Sequence, residues 1–214
     1  MNTKADIARL LLSIKAVFLS PNSPFTWASG IKSPIYCDNR LILSYPDVRT
    51  VVERALADMI LDCYPGCEAL MGTSTAGIPH AAIVAHLLGL PMGYVRSETK
   101  EHGRENRIEG LLTPGSKVVV VEDLISTAGS VIRVVDALRD ARADVLGIAS
   151  IFTYGMNKAK DRLNHNNIVN HSLSDFDTLV EVALGQQMIG QQDVSRLMSF
   201  RDNPDDEGWL ARPI

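Results

Sequence analysis

Two adjacent carboxylates, Glu122 and Asp123, follow four consecutive valines, Val118, Val119, Val120 and Val121. After them come Leu124 and Ile125, then the small and hydroxyl residues Ser126, Thr127, Ala128, Gly129 and Ser130. An unbroken β-branched run suits a central parallel strand buried on both faces, so the strand delivers both acids at its carboxyl end. The hydroxyl-rich loop wraps into a helix N-terminus, where unpaired N–H groups and the positive end of the helix dipole favour a phosphate. It is no Walker A loop, because no Gly-Lys-Ser/Thr follows, and no Gly-x-Gly of a dinucleotide fingerprint occurs in the chain. Carboxylates beside a phosphate repel it unless they accept from vicinal sugar hydroxyls or hold Mg²⁺ through water. The segment therefore reads as a seat for a ribose 5-phosphate. The bland alternative, a strand end with a Ser-rich cap, leaves two acids on an apolar strand without partners.

A second segment, residues 94–110, is almost free of apolar side chains and carries four basic and four acidic residues plus His102. A run this polar cannot bury itself and is expected to be a mobile surface loop. Within it Arg96, Lys100 and His102 share one parity, so an extended segment projects all three to one side. That cationic row matches a leaving pyrophosphate. Taken alone, composition favours the plainer reading, a solvated charged connection.

The elements that must hold these groups alternate between strand and helix. Apolar residues Ile7, Leu10, Leu11, Ile14, Val17 and Phe18 predict a helix over 3–19 that stops before Pro21. Residues 25–43 read as short extended pieces. Pro46 opens a strong helix with Asp47 in its first turn and an apolar stripe from Val48 to Ile60. Strands are predicted at 69–71, 92–96, 118–121, 145–152 and 168–169, and helices at 78–88, 131–138 and 175–184. The tail from Asn203 is expected to be loose. This alternation means an α/β doubly wound sheet with ligands beyond the strand carboxyl ends.

Length and composition agree. The 214 residues suit one domain with a minor appendage, since domains commonly run about 100–200 residues. Hydrophobic residues at 46% and charged ones at 21% exclude a disordered or collagen-like chain. A net charge of −4 argues against a nucleic-acid-coating protein. Cys37, Cys63 and Cys67 read as reduced thiols of a cytosolic protein, and the Cys63–Cys67 spacing as a helix end and turn, not a zinc site. The acid-bearing N-terminus reads as no signal peptide, and no apolar run approaches the ~20 residues of a membrane span. His80, His86, His165 and His171 read as structural or solvated.

The segment from Glu122 to Ser130 resembles the phosphoribosyl pyrophosphate motif of the type I phosphoribosyltransferases. The spacing Arg96-x₃-Lys100-x-His102-Gly103 is similar to the catalytic loop of the orotate phosphoribosyltransferases. Residues 25–36 resemble that family's N-terminal hood, and residues 72–79 its pyrophosphate-side loop. Four segments in order make the likeness specific over most of residues 20–155, while the last sixty residues add little. It implies a type I phosphoribosyltransferase fold, a mostly parallel twisted sheet flanked by helices. It also implies one domain over 1–214, with a hood of about 1–45 plus part of the C-terminal segment and a core of about 46–184.

The activity implied is transfer of the 5-phosphoribosyl group from 5-phosphoribosyl 1-pyrophosphate to orotate, giving orotidine 5′-monophosphate and pyrophosphate in pyrimidine (UMP) biosynthesis. Arg96, Lys100 and His102 would be catalytic, neutralising pyrophosphate. Glu122 and Asp123 would fix the ribose and residues 126–130 the 5-phosphate, with Leu124, Ile125 and Thr73 completing the donor site. Ser126, Tyr36, Cys37 and Lys32, with Lys158 as a further cation, would face orotate. The likeness further implies Mg²⁺ held mainly by substrate, with Asp123 reaching it through water. A cytoplasmic homodimer that shares the 96–110 loop across its interface completes the picture. Four positions depart from the family pattern: Ser97 and Ala28 stand where lysines are common, Thr153 about where some members place an orotate-facing arginine, and Ala128 where glycine is usual. Ala128 is expected to keep a negative φ. Two rivals stay open: a phosphoribosyltransferase for another base, and a non-catalytic sensor of phosphoribosyl pyrophosphate, which would need a nucleic-acid surface.

Overall fold

The computed structural model describes residues 3–27, 30–96 and 107–210. Thr3 and Asp6 form a capping box that starts helix α1 (Lys4–Ser13). This helix is shorter than its apolar rhythm predicts. Lys15 adopts φ +56°, and the Lys15 and Ala16 N–H groups close back on Leu12 and Leu11 at 3.0 and 2.9 Å. That is a Schellman stop made without glycine. The chain then enters strand β1 (Val17–Leu19), followed by β2 (Phe25–Thr26), β3 (Lys32–Ser33) and β4 (Ile35–Cys37). β1 pairs with β4 and β2 with β3, both antiparallel. A 3-10 turn over Asn39–Ser44 leads to α2 (Pro46–Cys63), with Pro46 and Asp47 placed as expected in its first turn.

The main sheet follows: β5 (Ala69–Thr73), α3 (Gly77–Leu88), β6 (Met92–Val95), β7 (Ile108–Glu109), β8 (Lys117–Ile125), α4 (Gly129–Asp140) and β9 (Asp144–Thr153). Then come α5 (Asn157–His165), β10 (Asn170–Asp175), α6 (Phe176–Gly185) and α7 (Gln191–Asp202). The strand order is β10-β9-β8-β5-β6-β7, parallel except for β7. Connections from β5 run one way to β6, whereas β8 lies on its other side. The crevice between β5 and β8 is therefore a topological switch point, where ligands of such sheets bind.

Val118 to Val121 are all fully buried, as a central strand requires. β8 runs on to Ile125, so both acids lie in the strand's last turns of pleat, not just after it. β10 begins two residues later than its apolar pair suggests, because Ile168 is buried ahead of it and Val169 is 55% exposed. Helices α5 and α7 carry weak apolar patterns and were not anticipated. The C-terminal tail is docked, not loose, up to a 3-10 turn at Glu207–Trp209. Trp209 is 1% exposed, 5.7 Å from the Phe200 ring, with the Arg196 guanidinium over it. Arg196 also donates to the Pro21 carbonyl and Asn22 Oδ1, each at 2.7 Å. His80 is buried and paired with Glu53 at 2.6 Å, joining α3 to α2 in a structural role. α2 ends at Cys63, Gly66 turns with φ +83°, and all three cysteines are free thiols. No helix among the described residues is long and apolar enough to cross a membrane.

Candidate active site

At the carboxyl ends of β5 and β8 lies a cavity of about 270 Å³. It is lined by Thr73, Ser74, Thr75 and Ala76 on one side, by Glu122, Asp123, Leu124 and Ser130 on the other, and by Arg107 and Arg133. Two segments distant in sequence, 72–79 and 122–130, thus form one site. Their approach depends on glycine. A Cβ on Gly77 would collide with Thr73 Oγ1 and the Val121 carbonyl, and one on Gly72 would lie 2.9 Å from Ile78 Cα. Only bare backbone lets the start of α3 press against β8.

Glu122 is 6% exposed and accepts from Thr73 Oγ1 at 2.8 Å and from the Asp123 N–H at 2.9 Å. Burial, and then the Asp123 carboxyl beside it, push its pKa up to about 8. Thr73 is itself buried, so its hydroxyl serves Glu122 across the crevice. Asp123 is half-buried, and its carbonyl accepts from Asn39 Nδ2 at 2.7 Å. Asn39 Oδ1 in turn accepts from Cys37 Sγ at 3.4 Å, which links β4 to the acidic pair. Burial, followed by the Asp123 and Asp38 charges, holds the Cys37 thiol well above its ordinary range. Tyr154 is raised likewise, by burial first and then by Cys37, Tyr36 and Asp123. Tyr36 and Cys37 do not line the cavity, and Cys37 connects to Asp123 through Asn39.

Ala128 contradicts its expectation, adopting φ +60° in the left-handed region. The chain must turn sharply between β8 and α4, and there a Cβ costs about 1–2 kcal/mol. The Ala128 methyl is only 3% exposed, so its burial offsets part of that strain. The Thr127 carbonyl accepts from Arg162 Nη1 at 2.9 Å. Ser130 sits in the first turn of α4 and lines the cavity, with Arg133 one turn further along the same face.

The other sequence-predicted residues distribute as follows. Arg96 faces Glu109 at 3.5 Å. Its N–H donates to the Arg107 carbonyl at 2.8 Å, and Arg107 Nε and Nη2 return to the Arg96 carbonyl at 3.2 Å each. Lys100, His102, Ser97 and Ala28 lie outside the described residues. Lys32 donates to Thr26 at 2.8 Å, within the β2–β3 hairpin and away from the cavity lining. Tyr36 packs its half-exposed ring 5.6 Å from Phe25, and Lys158 faces Asp205 at 3.6 Å. Ser126 and Thr127 border the cavity without lining it, and the Ile125 side chain is core. Thr153 hydrogen-bonds locally, to the Ile125 carbonyl and from the Gly155 N–H. Sequence reasoning assigned no role to Asn39, Ser74, Arg107, Arg133 or Arg162. Ser74 had a signal in the 72–79 loop, Arg107 in the charged 94–110 segment, and Arg133 in its i+3 spacing from Ser130.

A switch-point crevice, an acidic pair and a hydroxyl-lined helix start together define the class of type I phosphoribosyltransferases. A family model described as phosphoribosyl transferase domain matches residues 42–181. A curated relative from Bacillus cereus (strain G9842), named orotate phosphoribosyltransferase, is 55% identical over 208 residues, covering 97% of this chain and 99% of that one. The crystal structure of orotate phosphoribosyltransferase from Aeropyrum pernix matches with TM-score 0.74 at 29% identity, over 86% of this chain and 99% of that one. Leishmania donovani UMP synthase matches with TM-score 0.79 at 26% identity, over 93% of this chain but 42% of that longer one. The chain belongs to the orotate phosphoribosyltransferase family.

Proposed function

We propose that this protein transfers the 5-phosphoribosyl group of 5-phosphoribosyl 1-pyrophosphate to orotate, releasing pyrophosphate and forming orotidine 5′-monophosphate for pyrimidine biosynthesis. The observation that carries this is the single cavity in which Glu122 and Asp123 meet both the 73–76 loop and the start of α4. A ribosyl centre losing pyrophosphate gathers positive charge on the sugar and negative charge on the leaving oxygens. Little acid–base work is needed at C1. Preorganised cations on the leaving group and exclusion of water are what help.

In this reading Asp123 and Glu122 accept from the ribose hydroxyls, and the backbone and hydroxyls of 126–130 hold the 5-phosphate. Arg96, Lys100 and His102 neutralise the departing pyrophosphate, with His102 able to protonate it. Arg107 and Arg133, which line the cavity, add positive charge to it. Orotate lies between the acids and Tyr36, Cys37 and Ser126. Lys32, held by Thr26, is the weakest member of that set. Residues 1–45 with α7 and the tail serve as the hood.

Mg²⁺ fits this donor set as a companion of the substrate. Among the described residues no group of three or more His, Cys, Asp or Glu side chains converges on a metal position. One half-buried carboxylate, Asp123, suits an ion that keeps its waters and is bound chiefly by phosphate oxygens. Once bound, the ion screens the diphosphate charge. A cytoplasmic homodimer with the 96–110 loop shared between subunits completes the proposal.

The test is the absorbance change with phosphoribosyl pyrophosphate and orotate, run beside adenine, hypoxanthine and uracil. Turnover confined to orotate is expected, and turnover of a purine in its place would reject the base assignment. Glu122→Ala should raise the KM for the phosphoribosyl donor; an unchanged value removes the ribose role from that acid. Retention of nucleic acid on a filter, with no turnover of any base, would favour the sensor.

A further inference from the structure

Helix α5 reaches into the phosphate loop through one exposed side chain. Arg162 Nη1 donates to the Thr127 carbonyl at 2.9 Å. The same nitrogen lies over Gly129, where a Cβ would come within 3.2 Å of it. Arg162 itself sits in the last turn of α5, and its carbonyl accepts from Asn166 Nδ2 at 2.7 Å. The guanidinium is thus seated on the loop at the one position that carries no side chain.

The consequence follows from peptide geometry. In a planar trans peptide the C=O and the next N–H point in opposite directions. A cation fixed on the Thr127 oxygen therefore aims the Ala128 N–H away from α5. It also draws electrons toward that oxygen, which strengthens the N–H as a donor. Ala128 is the left-handed residue of the loop, a conformation that an L-residue does not favour alone. Immediately after it begin the free N–H groups of the first turn of α4, at the positive end of that helix.

We propose that Arg162 is a positioning residue for the phosphate site, holding the Thr127–Ala128 peptide so that the loop's N–H groups meet a dianionic sugar phosphate ester. The proposal rests on the reading of residues 126–130 as the seat of the 5-phosphate. Arg162 touches the loop and not the reacting atoms, so its signature is affinity for the phosphorylated sugar. It differs from a packing residue in sparing orotate.

The experiment titrates ribose 5-phosphate into the intact protein by calorimetry and measures both KM values, for wild type, Arg162→Ala and Arg162→Lys. Arg162→Ala should weaken ribose 5-phosphate binding and raise the KM for phosphoribosyl pyrophosphate by about tenfold, the scale of one lost charge-assisted hydrogen bond. The KM for orotate and the unfolding midpoint should hold. Arg162→Lys, which keeps the charge and one donor direction, should recover part of the loss. Wild-type ribose 5-phosphate affinity in Arg162→Ala overturns the proposal, as does an equal rise in both KM values. If the alanine variant unfolds, Arg162→Gln takes its place and must bind more weakly than Arg162→Lys. A wild-type protein that binds ribose 5-phosphate yet ignores orotate would sink the transferase reading while leaving the comparison of variants intact.

Discussion

Glu122 is held by one hydroxyl and one backbone N–H in a buried slot, with a second carboxyl beside it. Burial favours its neutral form, and the Asp123 carboxyl reinforces that preference, so Glu122 keeps its proton up to about pH 8. The sign of the pH effect follows. In the unfolded chain the same carboxyl ionises near its ordinary 4.5, so between that value and about 8 the folded state binds the extra proton. Stability from this group is complete below the lower value and is lost as pH rises through the upper one. Glu122→Gln, neutral at every pH, should match wild type near pH 5 and become relatively more stable by pH 8. Urea unfolding of the empty protein across that interval measures it, and parallel curves would refute the argument. The acids and hydroxyls of this site were legible in the sequence because their types dictate what they can bind. The Thr73–Glu122 bond, the Asn39 link and the Arg162 brace were not, since each joins residues that only the fold brings together. Ala128 was misjudged because its side chain says nothing of the turn that the neighbouring strand and helix impose.

Among the elements, long apolar runs were read correctly and short polar ones were not. The β8 strand and the α2 helix announce themselves by composition and periodicity. The end of α1 does not, because Lys15 takes the place that glycine would have marked. The resemblance implies a share of the C-terminal segment in the hood, but the residues that make the link are not legible for a similar reason: α7 has few apolar residues, and Trp209 lies in a polar tail. Yet Arg196 ties residues 21 and 22 to that tail, and Phe200 meets Trp27, which stacks on Tyr154 at 5.5 Å. Residues 21–27 of the proposed hood are thereby tied to α7 and the tail, and Trp27 Nε1 donates to the Ile35 carbonyl, next to Tyr36, at 3.3 Å. Arg196→Ala leaves three acceptors, the Pro21 and Trp209 carbonyls and Asn22 Oδ1, and a buried indole without their cation, and should cost about 2–3 kcal/mol of stability. At a temperature where the variant is still folded, it should raise the KM for orotate more than that for phosphoribosyl pyrophosphate. Equal changes in the two constants would mean that the clamp serves the fold alone.

At the scale of the whole molecule, the described site has an incomplete set of cations. Arg96 faces Glu109, while Arg107 is occupied with the Arg96 carbonyl. The remaining positive charge assigned to pyrophosphate, Lys100 and His102, belongs to a segment whose two ends are joined at Arg96 and Arg107, beside the cavity. The sequence could supply these residues and their order, but which subunit they serve is a matter of quaternary geometry, to which spacing is blind. A mixing experiment separates the cases. Lys100→Ala should lower kcat by about 10²–10³, as loss of one transition-state stabiliser does, and Glu122→Ala should cripple donor binding in its own subunit. If the loop acts across the interface, a mixed dimer holds one site with both residues intact and one with neither. Random reassociation of equal amounts should then restore about a quarter of the wild-type rate, because half of the dimers are mixed and each has one sound site. If the loop acts within its own subunit, every site in the mixture keeps one defect and no recovery occurs, so activity equal to the mean of the two parents would reject the shared loop.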